Sequence, residues 1–358
     1  MPALPPRTAQ AHGVSRLAED LARATRDVLA RRPRAPSGPP LSAPLHCLLC
    51  GGDAGHELFP EPVPESLGYH VARCDQCGLV VTMPRPAFEA IPALYGETYH
   101  GLDNNKFGPL TEMFVFLFRV ARLRAVRRMG IKRGNLLDLG CGRGLFLSVM
   151  QRCGYRAWGT EIDAASARAS HQRSGAEVRV GPVIGCHFDA GQFDVITAWQ
   201  VFEHLHDPDV VLRECHRILR PGGALIMSMP NIDSWQARWA GASWFHLDVP
   251  RHLFHYDPAT MTALLDAHGF RVEKISHYSL EQDPFGLLQS ALHRLGRSHF
   301  GLYRLLRGPL DRRDRARGQR LPLLAAYLAA FVPAAAVSML WSLRGSGAAF
   351  TVLARRVD

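Results

Sequence analysis

Two pairs of cysteines near the beginning of the chain have a spacing typical of a metal site. Cys47 and Cys50 form one Cys-x-x-Cys pair, and Cys74 and Cys77 form a second. Each such turn directs two sulfurs toward one point, so the four thiolates predict a closed, tetrahedral zinc site with a structural role. A redox function is the alternative, and it is disfavoured because no thioredoxin-like pattern surrounds either pair.

A second chemical signal is the glycine-rich segment Leu-Leu-Asp-Leu-Gly-Cys-Gly-Arg-Gly, which holds Gly140, Gly142 and Gly144. Glycines at a strand-to-helix turn let the backbone approach a bound nucleoside. Glu161 follows about 20 residues later, where a carboxylate can accept both ribose hydroxyls. Leu145 stands where a dinucleotide motif has its third glycine. A nucleoside without a pyrophosphate is therefore favoured over a nicotinamide cofactor, and an unrelated glycine-rich turn is the alternative.

The elements that must position these residues alternate between short apolar runs and helical patterns. We predict strands over 135–139, 157–161, 178–180, 193–199, 224–229 and 271–278, and helices over 145–153, 164–173, 208–219 and 258–268. This alternation predicts an α/β domain with a doubly wound, mostly parallel sheet. A ligand is expected in the crevice at the carboxyl ends of the strands.

These motifs, in this order, resemble the class I S-adenosylmethionine-dependent methyltransferases. The segment from Asp138 to Gly144 resembles their cofactor loop, and Glu161 resembles their ribose-binding acid. Residues 193–197 resemble their fourth strand, and residues 217–223 the turn before the fifth. The resemblance implies a seven-stranded Rossmann-like methyltransferase sheet with S-adenosylmethionine as cofactor. The cofactor-binding residues that it implies are Asp138, Gly140, Cys141, Gly142, Gly144, Glu161, Ile162 and Trp199.

One segment departs from the pattern of that family. Many members have an acidic residue after the third strand that holds the adenine amino group. This chain has Gly-Pro-Val-Ile-Gly-Cys-His-Phe over 181–188 instead. We therefore expect the adenine contact to come from backbone groups, from Asp189 or from packing against Phe188.

Residues that serve the methyl acceptor are expected after the fourth and fifth strands. Methyl transfer from a sulfonium needs an aligned acceptor, and a general base only where the acceptor loses a proton. Glu203 and His204 follow the fourth strand, although Glu203 could instead cap the helix at Pro208 and His204 could simply pack. The segment 244–256 follows the fifth strand and is dense in histidine and aromatic residues. The predicted catalytic residues are His252 first, then His255, Tyr256, His246, His204 and Glu203.

The combination of a zinc ribbon with a methyltransferase domain restricts the expected class of methyl acceptor. It resembles sugar C-methyltransferases and related enzymes of polysaccharide clusters, so we expect a sugar, glycan or lipid-linked small-molecule acceptor. A ribosomal RNA methyltransferase is the alternative, disfavoured because Ala-Trp-Gln-Val at 198–201 replaces an Asn-Pro-Pro-Tyr motif. A non-catalytic protein that only binds the cofactor is a third hypothesis, and the intact glycine loop and the histidines argue against it.

The composition is that of a globular protein with a basic excess. The chain has 358 residues, is 47% hydrophobic and carries a formal net charge of +10. This excludes a wholly disordered chain and predicts about two or three domains. Arginines concentrate in 1–40 and 294–320, which favours phosphate or anionic-lipid partners or a solvated charged face. We predict a disordered or weakly helical tail over 1–43, a zinc ribbon over 44–83, a linker and helix over 84–133 and the methyltransferase domain over 134–358.

An uncharged segment near the C-terminus, residues 321–343, is as long as a bilayer span. The pattern at 345–355 predicts the last strand of the sheet, and a single crossing would separate that strand from the cofactor site. We therefore expect a helical insertion at about 284–344. It contacts a membrane surface through 294–343, or it forms a buried lid or homodimer face, with a true span as the third alternative. Because the N-terminal segment has no secretory apolar run, we expect a cytoplasmic location. A peripheral location at the inner face of the membrane is the alternative, if the insertion contacts the bilayer.

Overall fold

The computed structural model describes residues 39–41, 44–64, 66–87, 90, 109–295 and 320–358. Nearly all of the predicted N-terminal tail, residues 91–108 of the predicted linker and the Arg-rich residues 296–319 lie outside the described residues.

The helices and strands of the described residues follow the predicted alternation. The strands are β1 (Gly55–Glu57), β2 (His70–Cys74), β3 (Val80–Met83), β4 (Gly134–Leu139), β5 (Tyr155–Glu161), β6 (Glu177–Val180), β7 (Phe193–Trp199), β8 (Leu219–Pro230), β9 (Phe254–His255), β10 (Phe270–Ser276) and β11 (Ala349–Arg356). The helices are α1 (Pro109–Arg128), α2 (Leu145–Arg152), α3 (Ala164–Ser174), α4 (Pro208–Ile218), α5 (Trp235–Ala240), α6 (Pro258–Ala267), α7 (Asp283–Arg294) and α8 (Arg320–Leu343).

Seven of these strands form the larger sheet, in the order β10-β11-β8-β7-β4-β5-β6. Strand β11 pairs antiparallel with both β10 and β8, whereas the remaining neighbours pair in parallel. Leu136, Leu137, Val195 and Ile196 on the central strands are fully buried. Their nearly continuous apolar runs arise because helices cover both faces of a parallel sheet. The predicted doubly wound, mostly parallel sheet is confirmed.

A second, four-stranded sheet has the order β1-β2-β3-β9. Its first three strands belong to the predicted zinc ribbon, but β9 comes from the histidine-rich segment, with Val80 opposite His255 and Val81 opposite Phe254. Val80 also packs with Ile232 after β8 in one apolar cluster. The ribbon therefore shares a sheet with the segment that carries the predicted catalytic histidines.

The described residues of the C-terminal insertion include two helices, α7 and α8, that pack on each other. The Asp283 carboxylate, which is 1% exposed, accepts hydrogen bonds from Ser342 Oγ at 3.2 Å and from the Ala349 amide at 3.1 Å. Burial raises the pKa of Asp283 to about 7. This contact joins both helices to the first residue of β11. Within the described part of the chain, none of the helices combines the length and apolar character that crossing a membrane would require.

Candidate active site

The glycine segment forms the tight turn between β4 and α2 that its composition predicts. Gly140 and Gly144 have φ angles of 60° and 72°, in the left-handed region that favours glycine. A Cβ on Gly140 would lie 2.8 Å from Val201 Cγ2, and one on Gly144 would lie 2.5 Å from Ser170 Oγ. The turn thus contacts the segment after β7, so it needs glycine for close approach as well as for conformation.

Glu161 lies at the carboxyl end of β5, against the glycine turn. Its carboxylate accepts hydrogen bonds from the Gly142 amide at 2.8 Å and the Ile162 amide at 2.9 Å. The Ile162 side chain is 73% exposed at the same edge. The structure thus brings the predicted ribose-binding acid, the glycine turn and an apolar surface together.

Asp138 supports this turn from below. It is buried at the end of β4, where Thr197 Oγ1 on β7 donates to its carboxylate at 2.6 Å. Burial raises the pKa of Asp138 to about 7. Cys141 is also buried, with its Sγ 3.4 Å from Ser170 Oγ. Thr197 was not among the predicted site residues, and only the pairing of β4 with β7 reveals its role.

An ion-pair cluster that the sequence did not predict lies next to Trp199. The Arg122 guanidinium lies 4.8 Å from the centre of the Trp199 ring. Arg119 and Arg122 on α1 donate to the Glu281 carboxylate at 2.8 and 2.9 Å. Although burial opposes it, these two guanidinium groups lower the pKa of Glu281 to about 2. The Trp199 Nε1 is buried and has no hydrogen-bond partner among the described residues.

The segment expected to contact adenine is a short 3-10 turn, Val183–Cys186, followed by Phe188. Phe188 is buried, packs edge-on against Phe193 at 5.0 Å, and lies under the Arg179 guanidinium at 4.2 Å. Because protein groups cover that ring, Asp189, which is exposed, and the backbone groups are the remaining candidates for the adenine contact.

Three of the predicted catalytic residues meet at the segment that follows β7. Glu203 and His204 lie in a 3-10 turn after β7, and His252 reaches them from the histidine-rich segment. The rings of His204 and His252 have centroids 4.6 Å apart, and the donor atoms of all three side chains lie within 4.8 Å of one another. Val201, which contacts Gly140, precedes Glu203 by two residues. We call these three residues the Glu203 cluster.

Glu203 is 1% exposed, and neither carboxylate oxygen has a hydrogen-bond partner among the described residues. Burial raises its pKa to about 8. The alternative that Glu203 caps α4 is wrong, because Asp207 occupies the N-cap position of that helix. A buried carboxyl group left without partners is costly, so this position is more than a packing site.

The tautomers of the two histidines follow from their backbone contacts. His252 Nδ1 lies 2.9 Å from the His246 carbonyl oxygen, and His204 Nδ1 lies 3.1 Å from the Arg251 carbonyl oxygen. A carbonyl oxygen only accepts, so each Nδ1 carries the hydrogen and each Nε2 keeps the lone pair. Burial lowers the pKa of both rings, which are therefore neutral near pH 7. The Asp248 carboxylate lies 3.9 Å from His252 Nε2.

Of the other three predicted catalytic residues, His246 contacts His252 through its carbonyl oxygen, whereas His255 and Tyr256 lie toward the ribbon. Thr82 Oγ1 on β3 donates to the His252 carbonyl oxygen at 2.6 Å and accepts from His255 Nε2 at 3.1 Å. Tyr256 is 1% exposed, and its hydroxyl has no hydrogen-bond partner among the described residues. It lines a small gap between the ribbon, α4 and α6.

The four ribbon cysteines converge as their spacing predicts. Cys47 Sγ lies 3.4 Å from Cys77 Sγ, and Cys50 Sγ lies 3.5 Å from Cys74 Sγ. All four side chains are buried. Tetrahedral zinc with bonds of about 2.3 Å separates its sulfurs by about 3.8 Å. The four cysteines therefore fit a zinc ion, and they leave no open position for a substrate.

Comparison with known proteins finds methyltransferases. A methyltransferase domain family matches residues 114–275. A solved S-adenosylmethionine-dependent methyltransferase from Archaeoglobus fulgidus is similar, with 17% identity, a TM-score of 0.44, and coverage of 74% of this chain and 99% of that one.

Two curated relatives are each named ubiquinone biosynthesis O-methyltransferase. The one from Xanthomonas axonopodis pv. citri is 34% identical over 156 residues, which covers 40% of this chain and 64% of that protein. The one from Pectobacterium atrosepticum is 31% identical over 175 residues, which covers 45% of this chain and 73% of that protein. The chain thus spans less than two thirds of the first relative's length. With this relatedness and the glycine turn, Glu161 and the seven-stranded sheet in place, the chain belongs to the class I S-adenosylmethionine-dependent methyltransferases.

Proposed function

We propose that this protein transfers the methyl group of S-adenosylmethionine to a hydroxyl oxygen of a small-molecule acceptor. The observation that carries the proposal is the meeting of two neutral histidines, His204 and His252, at the segment after β7 whose Val201 contacts Gly140 of the glycine turn. In the reaction, the acceptor oxygen forms a bond to the methyl carbon and the carbon–sulfur bond breaks. The electron pair stays on sulfur, giving S-adenosylhomocysteine, and the acceptor hydroxyl loses its proton. The names of the two relatives support an oxygen acceptor.

The cofactor is proposed to bind along the carboxyl ends of β4 and β5. There the Glu161 carboxylate would accept the ribose hydroxyls while the Gly142 amide keeps it oriented. Ile162 would cover one face of the adenine, since its side chain is exposed at that edge. Asp138, which accepts a hydrogen bond from Thr197, would hold the glycine turn in position from the end of β4.

His252 is the proposed general base. A base must be unprotonated before the reaction, and burial keeps the pKa of this imidazole well below its ordinary value. Its Nδ1 hydrogen is held by the His246 carbonyl, so Nε2 is the atom that accepts a proton. The Asp248 carboxylate, 3.9 Å from Nε2, would stabilise the imidazolium that forms.

A sugar or another hydroxyl-rich group is the proposed acceptor class. A cavity of about 530 Å³ lies between the ribbon and the end of β8. It is lined by charged, amide and hydroxyl side chains, among them His56, Arg73, Gln76, Asn231, Asp257 and Thr260. None of the lining residues belongs to the Glu203 cluster or the glycine turn, so we propose that the cavity holds a part of the acceptor away from the reacting hydroxyl. Such side chains match hydroxyl groups better than apolar rings. In this respect the protein would differ from the relatives named for ubiquinone biosynthesis.

The test is an assay of S-adenosylhomocysteine formation by the zinc-loaded protein with nucleotide sugars, lipid-linked glycans, phenols and ribosomal RNA. His252→Ala should lose at least about a hundredfold in turnover, because general bases typically contribute that much. Its affinity for S-adenosylmethionine should change little, and His46→Ala, an exposed histidine of the ribbon, should behave as wild type. Methylation of RNA alone would overturn the small-molecule proposal, and cofactor binding without turnover on any acceptor would overturn the enzymatic one.

We also propose that α8 and its neighbours contact the surface of an anionic bilayer at the cytoplasmic face. Apolar side chains are exposed along this helix: Leu328, Val332, Val337, Met339, Leu340 and Leu343. Trp341 stacks on Trp235 at 5.3 Å, and Trp235 stacks on Trp239 at 6.0 Å. Arg344 and Arg294 lie over two of these rings. Tryptophan beside arginine suits the boundary between lipid headgroups and acyl chains.

Flotation with phosphatidylglycerol-containing vesicles tests this surface. The double variant Val332→Glu and Leu343→Glu should lose most vesicle binding, because each substitution places a charge where an acyl chain would lie. Val210→Glu on α4 is the matched control and should float like wild type. No flotation of the wild type would overturn the proposal. A wild-type dimer that the double variant dissociates, without flotation, would assign the surface to a homodimer instead.

A further inference from the structure

We propose that Glu203, His204 and His252 hold a divalent transition-metal ion beside the cofactor site, separate from the ribbon zinc. This inference deepens the proposed function, because the ion would lie where the acceptor oxygen must be activated. The donor atoms of the three side chains lie within 4.8 Å of one another, which is within reach of one ion after small side-chain movements.

Glu203 is the strongest indication of a missing partner. Its carboxylate is 1% exposed, yet neither oxygen has a hydrogen-bond partner among the described residues. Structures rarely leave a buried carboxyl group in this condition, since the loss of hydration is costly without a compensating contact. A bound cation beside both imidazoles would supply that compensation.

The two imidazoles are held as metal ligands usually are. The His246 and Arg251 carbonyl oxygens accept from Nδ1 of His252 and His204, so both rings present the Nε2 lone pair. Metal-binding histidines generally donate their other ring N–H to a carbonyl or carboxylate, which fixes the ring and its tautomer. Asp248, itself paired with Arg251, lies 3.9 Å from His252 Nε2 as an outer carboxylate.

The donor set also indicates the kind of ion and its use. One carboxylate and two imidazoles suit Zn²⁺, Mn²⁺ or Fe²⁺, whereas the four cysteines of the ribbon select zinc. Three protein donors leave positions open, so the ion can bind the acceptor oxygen and lower the pKa of its hydroxyl. The hydroxyl proton then passes to water, and His252 serves as a ligand. With the ion bound, the metal replaces the general-base step proposed above for His252, whereas methyl transfer from S-adenosylmethionine to an acceptor oxygen is unchanged.

Manganese distinguishes the two metal sites, because it is a hard ion with little affinity for thiolates. The zinc-loaded protein is titrated with Mn²⁺, and bound ion is measured by electron paramagnetic resonance. We expect one saturable Mn²⁺ site in the wild type and at least about tenfold weaker binding in Glu203→Gln. Glu214→Gln on α4 is the matched control and should bind as wild type. His252→Asn, a second substitution in the cluster, should also weaken binding while one zinc remains bound.

No saturable Mn²⁺ binding by the wild type, or equal binding by Glu203→Gln, would overturn the inference. The same samples are titrated with S-adenosylmethionine by calorimetry. Cofactor binding with turnover that does not respond to Mn²⁺ would remove the metal and leave the proposed function in place. Manganese binding without cofactor binding would overturn the proposed function and leave the metal site in place.

Discussion

The two halves of the carboxyl edge of the sheet are built in different ways. The cofactor half consists of the glycine turn and Glu161, which lie on two consecutive strands, and its contacts are largely made by backbone amides. The acceptor half is assembled from Glu203 and His204 after β7 and from His252, whose carbonyl is held by Thr82 of the ribbon. A short motif suffices for the first half. The second depends on a separate small sheet, so each half can be damaged without the other.

The largest effect should come from Cys74→Ser, which removes a ligand of the ribbon zinc. Structural zinc contributes directly to folding, so the zinc content should fall from one equivalent to nearly none. The unfolding temperature should fall by on the order of 10 °C, and methyl transfer should be lost. Metal analysis and a thermal melt measure this. Cys153→Ser, outside the four ribbon cysteines, is the control. Full turnover by Cys74→Ser would show that the acceptor half does not need the ribbon.

Glu161→Ala should damage the cofactor half alone. Removing hydrogen bonds to a charged group costs about 1–3 kcal/mol, so affinity for S-adenosylmethionine should fall about tenfold to a hundredfold. Calorimetry gives the affinity, and zinc content should be unchanged. Glu177 begins β6, whereas Glu161 lies beside the other end of that strand, so Glu177→Ala should bind S-adenosylmethionine normally. Unchanged affinity in Glu161→Ala would remove this residue from the cofactor site.

Thr82→Val should weaken the connection between the ribbon and the Glu203 cluster. Loss of the hydroxyl leaves the His252 carbonyl and His255 Nε2 without their buried partner, at a cost of about 1–3 kcal/mol in the free energy of unfolding. Turnover should fall while cofactor affinity is retained. Thr262→Val, whose hydroxyl bonds within α6, is the control. Equal stability of the two variants would contradict this role for Thr82.

The last prediction concerns pH and Asp138. Its pKa is about 7 in the folded protein, above the ordinary value, because burial disfavours the charge. The unfolded chain therefore gives up this proton at lower pH, and stability falls as the pH rises from about 4 to above 7. Asp138→Asn should flatten this dependence in urea unfolding at pH 5 and pH 8. Asp283, with a similarly raised pKa, will leave a residual slope that Asp138→Asn does not remove.

Much of the fold could be predicted because its signals are local. The strand at 193–199 was predicted with the bounds that the structure shows, and most helix ends fell within one or two residues. The pairing of Phe254 and His255 with β3 could not be predicted, since two residues in extended conformation leave no periodic signal. The ion pairs of Glu281 could not be predicted either, because Arg119 and Arg122 on α1 lie far from it in the sequence.

The sequence alone determined the glycine turn, its acidic partner and the four cysteines, because each depends on backbone conformation and short spacing. Glu203, His204 and His252 could also be named from the sequence, but it did not show that these three side chains meet or that His255 and Tyr256 lie apart from them. Only the tertiary structure decides which of these residues come together. Only when β9 joins the ribbon does the chain place His255 against the Thr82 hydroxyl, which also holds the carbonyl of His252, three residues earlier in the chain.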